Sequence, residues 1–82
     1  MKRHVTGKAL QGYLAAPAAV QKAFDKQTAL LLQSLRYPSL RAKKIDETND
    51  VWQARINKDW RFLFQIAGDT YRILNIFPHP KK

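Results

Sequence analysis

The chain contains no cysteine among its 82 residues. This absence excludes a disulfide scaffold, a cysteine-ligated zinc site and a thiol nucleophile, and it suits a reducing compartment. Long apolar runs are also missing, so no segment is predicted to span a membrane. The basic residues 1–4 are not followed by the apolar stretch that a signal peptide needs. We therefore expect a cytoplasmic protein.

Acidic residues are scarce, with six Asp and Glu against fifteen Lys and Arg and a net charge of +9. Half of the carboxylates cluster at residues 46–50, where they are too few and too exposed for a metal site or a glycosidase pair. With three glycines, the chain also lacks a glycine-rich phosphate loop. No metal or small-molecule cofactor is therefore predicted. The positive charge indicates a polyanionic partner, which is nucleic acid, an acidic protein or an anionic membrane. The alternative is a solvated basic surface that only keeps the protein soluble.

Apolar residues make up 45% of the chain, which is enough for a single globular domain over residues 1–82. They recur at helical spacing in two segments, residues 7–14 and 17–35. Thr6 is a suitable N-cap for the first helix. Pro38 ends the second helix, because the residue before a proline avoids helical backbone angles. The two segments are predicted to form a helical hairpin.

Three later segments are rich in β-branched and aromatic residues and are separated by turn signals. They are residues 51–57, 60–67 and 70–77. A two-residue turn at Gly68-Asp69 pairs Ala67 with Thr70. A further strand at residues 2–5 joins the sheet. Residues 40–45 could form another short strand, and the sequence pattern does not decide whether they do. The prediction is an α+β fold in the order β-α-α-β-β-β, with the helical hairpin on one face of an antiparallel sheet.

Alternation along residues 60–67 places aromatic side chains on one face, which is predicted to form the core against the helices. Arg61 then points to the other, open face. Arg55 shares this face only if the loop before Trp60 has an odd number of residues or a bulge, and we adopt that register. The open face is predicted to hold Gln53, Arg55, Arg61 and Arg72 beside Leu63, Leu74 and Ile76.

Guanidinium groups on a rigid sheet suit phosphates, because each planar fork binds two oxygens. The alternative is that each arginine pairs with a nearby acid, with Asp50, Asp59 and Asp69 as the candidates. The basic run of Arg41, Lys43 and Lys44 either contacts an RNA backbone or is a solvated loop. His79 either moves protons, as imidazole often does at neutral pH, or is a solvated histidine near the end of the chain.

Several strings resemble one family along essentially the whole chain. They are LRYPSLRAKKI at residues 35–45, WQARI at 52–56, DWRFLFQI at 59–66 and ILNIFPHPK at 73–81, with residues 8–10 and 14–17 of the helical hairpin. The R-I-x-x-D-W-R passage followed by Gly-Asp is the most telling. Together they resemble the RelE/ParE superfamily of bacterial type II toxins.

This resemblance implies a toxin that a cognate acidic antitoxin neutralises. RelE-like members cleave mRNA in the ribosomal A site without a metal, so the partners are the antitoxin, the ribosome and mRNA, with no membrane. Such cleavage needs a base for the attacking 2′-OH, positive charge for the phosphorane and an acid for the leaving oxygen. The predicted catalytic residues are Arg61, Arg55, His79 and Lys81. The predicted RNA-binding residues are Arg41, Lys43, Lys44, Gln53 and Arg72.

Two departures from the family pattern keep other functions open. Gln53 stands where some members carry lysine, and the sequence ends at Lys82 without the aromatic residue that RelE-like members often carry near their C-terminus. The first alternative is a ParE-like toxin, which inhibits DNA gyrase and cuts nothing. The second alternative is a non-catalytic RNA-binding module.

Overall fold

A computed structural model describes residues 1–79. The described residues form strand β1 (Lys2–Val5), helices α1 (Gly7–Ala15) and α2 (Ala18–Gln33), a short 3₁₀ helix (Pro38–Leu40) and strands β2 (Lys43–Asp46), β3 (Val51–Arg55), β4 (Trp60–Ala67) and β5 (Thr70–Pro78). The predicted α+β class is confirmed.

Both predicted helices form, and Thr6 caps the first as expected. Its side chain accepts a hydrogen bond from the backbone N–H of Ala9 at 3.3 Å, and its hydroxyl donates to the carbonyl of Ile73 at 2.9 Å. The second contact ties the start of α1 to the sheet. Helix α2 ends at Gln33, two residues before the predicted end at 35, because Ser34 already has extended backbone angles.

The sheet has five strands in the order β1-β5-β4-β3-β2. Strands β2 to β5 run antiparallel to their neighbours, whereas β1 pairs parallel with β5. The N-terminal strand joins the sheet as predicted, but it pairs parallel with the last strand, so the sheet is mixed and not antiparallel throughout. The short strand that was left open forms as β2, an edge strand that pairs with β3 and is irregular between Lys44 and Asp46.

The predicted register of the last three strands is largely confirmed. Arg55 lies opposite Arg61, so the connection between them has the odd length that the prediction required, and Ala67 pairs with Thr70. An irregularity next to Leu63 shifts the pairing in the middle of β5. Ile76 therefore turns to the core, where it is 4% exposed, and its predicted place on the open face is wrong.

The core lies between the helices and the inner face of the sheet. Phe24 of α2 meets Phe62 of β4 edge-to-face at 5.4 Å between ring centroids, and both side chains are fully buried. Helix α1 packs closely on β5 at Gly12, where an added Cβ would lie 2.7 Å from the carbonyl oxygen of Ile76. This close approach requires glycine, although glycine weakens a helix by about 1 kcal/mol relative to alanine.

Candidate functional site

A cleft of about 260 Å³ opens at the β2–β3–β4 end of the open face, and we call it the sheet cleft. Its lining consists of Arg41, Lys43, Gln53, Ala54, Arg55, Arg61 and His79. Six of these residues are sequence-predicted site residues, contributed by the segment before β2, by three strands and by the end of the chain. The fold thus brings most of the predicted basic residues into one place.

The two central arginines owe their position to strand pairing. Arg55 and Arg61 are direct partners across β3 and β4. Like charges placed opposite each other destabilise a sheet by a few tenths of a kcal/mol to about 1 kcal/mol. An anion bound between them would remove this repulsion, so the pair favours a negatively charged ligand.

The loop between β3 and β4 holds the Arg61 side chain in place. Its Nη1 donates to the carbonyl of Asn57 at 2.6 Å and to the carbonyl of Trp60 at 2.9 Å. The side chain of Asn57 in turn accepts from the backbone N–H groups of Asp59 and Trp60, at 2.8 and 2.9 Å. Arg61 is therefore anchored through one terminal nitrogen, and its remaining N–H groups have no hydrogen-bond partner among residues 1–79.

The positive charges of Arg41 and Arg55 lie close enough to Arg61 to affect its protonation. Burial lowers the pKa of Arg61 below its ordinary value, the charges of Arg55 and Arg41 lower it further, and Asp59 acts in the opposite direction. Arginine nevertheless remains protonated at neutral pH. The cleft therefore keeps its positive charge, and the charge is partly desolvated.

The ion pairs among residues 1–79 lie outside this cluster. They are Lys2 with Asp69, Arg3 with Asp25, and Lys44 with Glu47 and Asp50. Two of the acids that were alternatives for neutralising the open-face arginines, Asp50 and Asp69, are thus engaged by lysines. Neither Arg41 nor Arg55 has an ion-pair partner in the described part of the chain.

Arg41 has an unusual backbone. It follows the 3₁₀ helix with φ of +46° and ψ of +41°, in the left-handed region that non-glycine residues occupy at a cost of about 1–2 kcal/mol. Strained residues of this kind concentrate at functional sites. The conformation presents Arg41 at the rim of the sheet cleft.

Gln27 supports the site and was not predicted to do so. It is 7% exposed, and its Nε2 donates to the carbonyl of Arg55 at 2.7 Å and to that of Ser39 at 3.0 Å. This one side chain ties α2 to the end of β3 and to the 3₁₀ helix before Arg41. The signal in the sequence was a polar residue inside the apolar stripe of a helix, between Phe24 and Leu31.

Two predicted site residues lie outside the sheet cleft. Lys44 turns to the opposite face from Lys43, where its Nζ lies 2.7 Å from Asp50 and 5.4 Å from the ring centroid of Trp52. The hydrogen bond to Asp50 is the main cause that raises the pKa of Lys44. Arg72 is on the open face but at its far end, where it donates to Gln65 at 3.2 Å. Lys81 lies outside the described residues.

His79 reaches the cleft through an extension of the strand pairing. Its backbone N–H donates to the carbonyl of Asp59 at 2.6 Å, just after β5 ends at Pro78. Its side chain is exposed and contributes to the cleft wall. The imidazole is thus within the same cleft as Arg55 and Arg61, open to solvent.

Two further features are missing from the described residues. No group of three or more His, Asp or Glu side chains within residues 1–79 is arranged to hold a metal ion. Neither helix in this part of the chain has the length and hydrophobicity needed to cross a membrane.

Comparison with solved structures finds the same architecture in bacterial and archaeal toxins. The YoeB/ParE toxin from Agrobacterium tumefaciens has a TM-score of 0.79 at 14% identity, covering 98% of this chain and 100% of that chain. RelE in the RelE–RelB complex from Pyrococcus horikoshii OT3 has 0.77 at 17% identity, covering 94% and 92%. The isolated E. coli RelE toxin has 0.78 at 13% identity, covering 99% and 86%.

Sequence comparisons add nothing to this result. Neither the models of protein families nor the curated protein sequences include a match to this chain. The structural comparisons nevertheless confirm, at the level of the fold, the resemblance that the sequence motifs predicted. The protein therefore has the fold of the RelE/ParE toxin superfamily.

Proposed function

We propose that this protein is the toxin of a type II toxin–antitoxin pair and that it cleaves mRNA on the ribosome, without a metal, in the sheet cleft. The observation that carries the proposal is the meeting of Arg41, Arg55 and Arg61 in one cleft on the RelE/ParE toxin fold. The charge of Arg61 is partly desolvated there, which strengthens its interaction with a phosphate.

Cleavage proceeds by attack of a ribose 2′-oxygen on the adjacent phosphorus. The P–O5′ bond breaks, the 2′-proton goes to a base, and the departing 5′-oxygen takes a proton from an acid. Arg55 and Arg61 stabilise the negative charge that develops on the phosphorane. His79 serves as the base or the acid, since it is the histidine in the cleft. Lys81 is assigned to the same group from the sequence alone.

The residues that line the sheet cleft around the two central arginines bind the RNA strand. Arg41 and Lys43 attract the phosphates through their charge, and Gln53 offers a neutral amide for hydrogen bonding. Lys44 and Arg72 are assigned weaker, peripheral roles because they lie outside the cleft. Lys44 is also already neutralised by Asp50.

Besides the ribosome and its mRNA, the proposed partner is an acidic antitoxin. The structure of Pyrococcus RelE contains its partner RelB, and the YoeB toxin from Staphylococcus aureus is similarly described with YefM. This chain offers such a partner a basic surface and an exposed apolar pair on α1, since Leu10 is 47% and Leu14 is 67% exposed. An antitoxin helix that covers this pair would gain apolar burial in addition to charge pairing.

A ParE-like activity against DNA gyrase is the alternative function. It is favoured by Gln53, which places a neutral side chain in the cleft where some RelE-like members carry lysine. A toxin of this kind needs no 2′-OH chemistry and would use the basic surface only for binding.

Primer extension on cellular mRNA after induced expression separates the two functions. The proposal predicts new cuts at codons in the ribosomal A site, and it predicts that they disappear in Arg61→Ala. Blocked replication with intact mRNA would instead support the gyrase alternative. Expression of Arg36→Ala, which removes an exposed arginine outside the sheet cleft, is the matched control and should leave the cuts in place.

A further inference from the structure

A second basic cleft lies on the helix side of the sheet cleft. It has a volume of about 500 Å³ and is bounded by α2, the 3₁₀ helix and the loop after β3. Four cations line it, namely Lys26, Arg41, Arg55 and Lys58. Among the described residues that line it, none is acidic. We call it the helix-side cleft.

The two clefts share two lining residues. Arg41 and Arg55 line both the sheet cleft and the helix-side cleft, so the positive surface continues from one to the other. Lys26 and Lys58 extend this surface away from Arg61. A chain of phosphates that enters the sheet cleft therefore meets a second set of cations directly beyond Arg55.

The base of the helix-side cleft also suits an anion. Backbone carbonyls repel phosphates, but the carbonyls of Ser39 and Arg55 are already occupied by the amide of Gln27. The Ser39 hydroxyl also donates to the side-chain amide oxygen Oε1 of Gln27 at 3.3 Å. Two of the backbone acceptors at the base are thereby satisfied, and the cations at the rim remain available.

We propose that the helix-side cleft binds a phosphate that flanks the scissile phosphate on the same RNA strand. This inference rests on the proposed RNA-directed function of the sheet cleft and assigns Lys26 and Lys58 a positioning role in it. Each nucleotide carries one phosphate, so a strand that crosses Arg55 must place a neighbouring phosphate on one side of it. The lysines hold that phosphate and thereby fix the register of the strand over Arg61.

The features of this cleft favour RNA over an acidic protein segment. An antitoxin helix needs exposed apolar side chains to bury, and the exposed large apolar residues of the described chain lie elsewhere. They are Met1, Leu10, Leu14, Tyr37 and Ile45. A polynucleotide needs only regularly spaced positive charge, which the cleft provides.

Binding of a short single-stranded RNA tests the proposal without relying on cleavage. The probe is an RNA of roughly ten nucleotides with 2′-O-methyl groups, which cannot be cleaved by 2′-attack. The variant is Lys26→Gln with Lys58→Gln, and the matched control is Lys8→Gln with Lys22→Gln, which removes the same charge from exposed positions outside both clefts.

The cleft variant should bind the probe about tenfold more weakly, which is the factor expected for one lost hydrogen bond to a charged group. The slope of log K against log salt should fall by about 0.7, the value for one phosphate contact on a single strand. The control should keep the slope of the parent protein. Equal losses in the two variants would mean that net charge alone matters, and the proposal would be wrong.

A neutral linkage identifies the bound phosphate directly. Probes with a single methylphosphonate at successive positions are measured with the parent protein and with the lysine variant. At one position the two losses should not add, because each removes the same contact. Full additivity at every position would refute the inference. If the variant instead loses affinity only for an acidic peptide, the cleft belongs to the antitoxin.

The cleavage assay and the RNA-binding experiment test the nuclease function and the flanking phosphate site independently. Absence of cleavage on programmed ribosomes would remove the nuclease assignment, while a non-additive position in the binding experiment would still establish the flanking phosphate site. Conversely, cleavage by the parent protein with additive binding losses would keep the nuclease and remove this second site.

Discussion

Replacing Arg61 by alanine tests the central assignment. The change removes from the sheet cleft a guanidinium that is anchored through Nη1 to the β3–β4 loop and is free at its other nitrogens within residues 1–79. Loss of one such preorganised contact to the transition state costs about 2.7–4 kcal/mol. The cleavage rate on programmed ribosomes should therefore fall by roughly a hundredfold to a thousandfold.

The fold should survive this substitution. The carbonyl of Trp60 keeps two backbone partners, from Ile56 at 3.0 Å and from Asn57 at 3.4 Å, so mainly the Asn57 carbonyl loses its donor. That loss costs about 1–3 kcal/mol. Relief of the repulsion with Arg55 returns part of it. Urea unfolding should thus show a modest decrease in stability and an unchanged slope.

Two companion variants sharpen the result. Arg61→Lys should restore only part of the rate, because an ammonium cannot reproduce the bidentate fork of a guanidinium. Arg36→Ala should retain the full rate. Full activity in Arg61→Ala would refute the catalytic assignment, and complete unfolding of that variant would show that its main role is to hold the β3–β4 loop.

Three further predictions concern the supports of the site and of the core. Gln27→Ala should lower the free energy of unfolding by about 2–4 kcal/mol in urea titrations, because two carbonyls lose their donor. Gly12→Ala should destabilise by about 1–2 kcal/mol despite better helix propensity, since its Cβ would meet the sheet, whereas Gly7→Ala, which has nothing within 4 Å, should be neutral or stabilising. Arg41→Gly and Arg41→Ala should weaken RNA binding equally. The glycine variant should melt at the same temperature as the alanine variant or at a higher one, because glycine adopts a positive φ without strain. An alanine variant more stable than the glycine variant would contradict the assigned strain.

The sequence predicted the central strands well because burial leaves them little choice. Trp52 and Ala54 of β3 and Phe62 and Phe64 of β4 must all face the helices, which requires a connection of odd length or a bulge. Arg55 and Arg61 then have to share the open face. The core pattern thus determined the most important feature of the site.

The alternation of apolar and polar residues did not predict the side-chain faces of β5 correctly, because its pattern is ambiguous. In β5 the order apolar-apolar-polar-apolar-apolar at residues 73–77 fits more than one register. Asn75 resolves it, because its side chain accepts a hydrogen bond from the N–H of Ile76 at 2.9 Å beside the irregularity in the β4–β5 pairing. Within the basic run, the strand at Lys43 and Lys44 places successive side chains on opposite faces, so Lys43 lines the sheet cleft and Lys44 does not.

Three exceptions to ordinary folding rules lie around the sheet cleft. Arg55 faces Arg61 across the sheet, Arg41 has a left-handed backbone, and Gln27 is a buried amide in the apolar face of a helix. The first two features cost folding free energy, and the third is stable only because its hydrogen bonds are made, yet a domain of this size has little stability to spare. Their shared position around one cleft indicates a constraint from function. A bound phosphate would relieve the charge repulsion, so RNA binding and fold stability should be thermodynamically linked at this cleft.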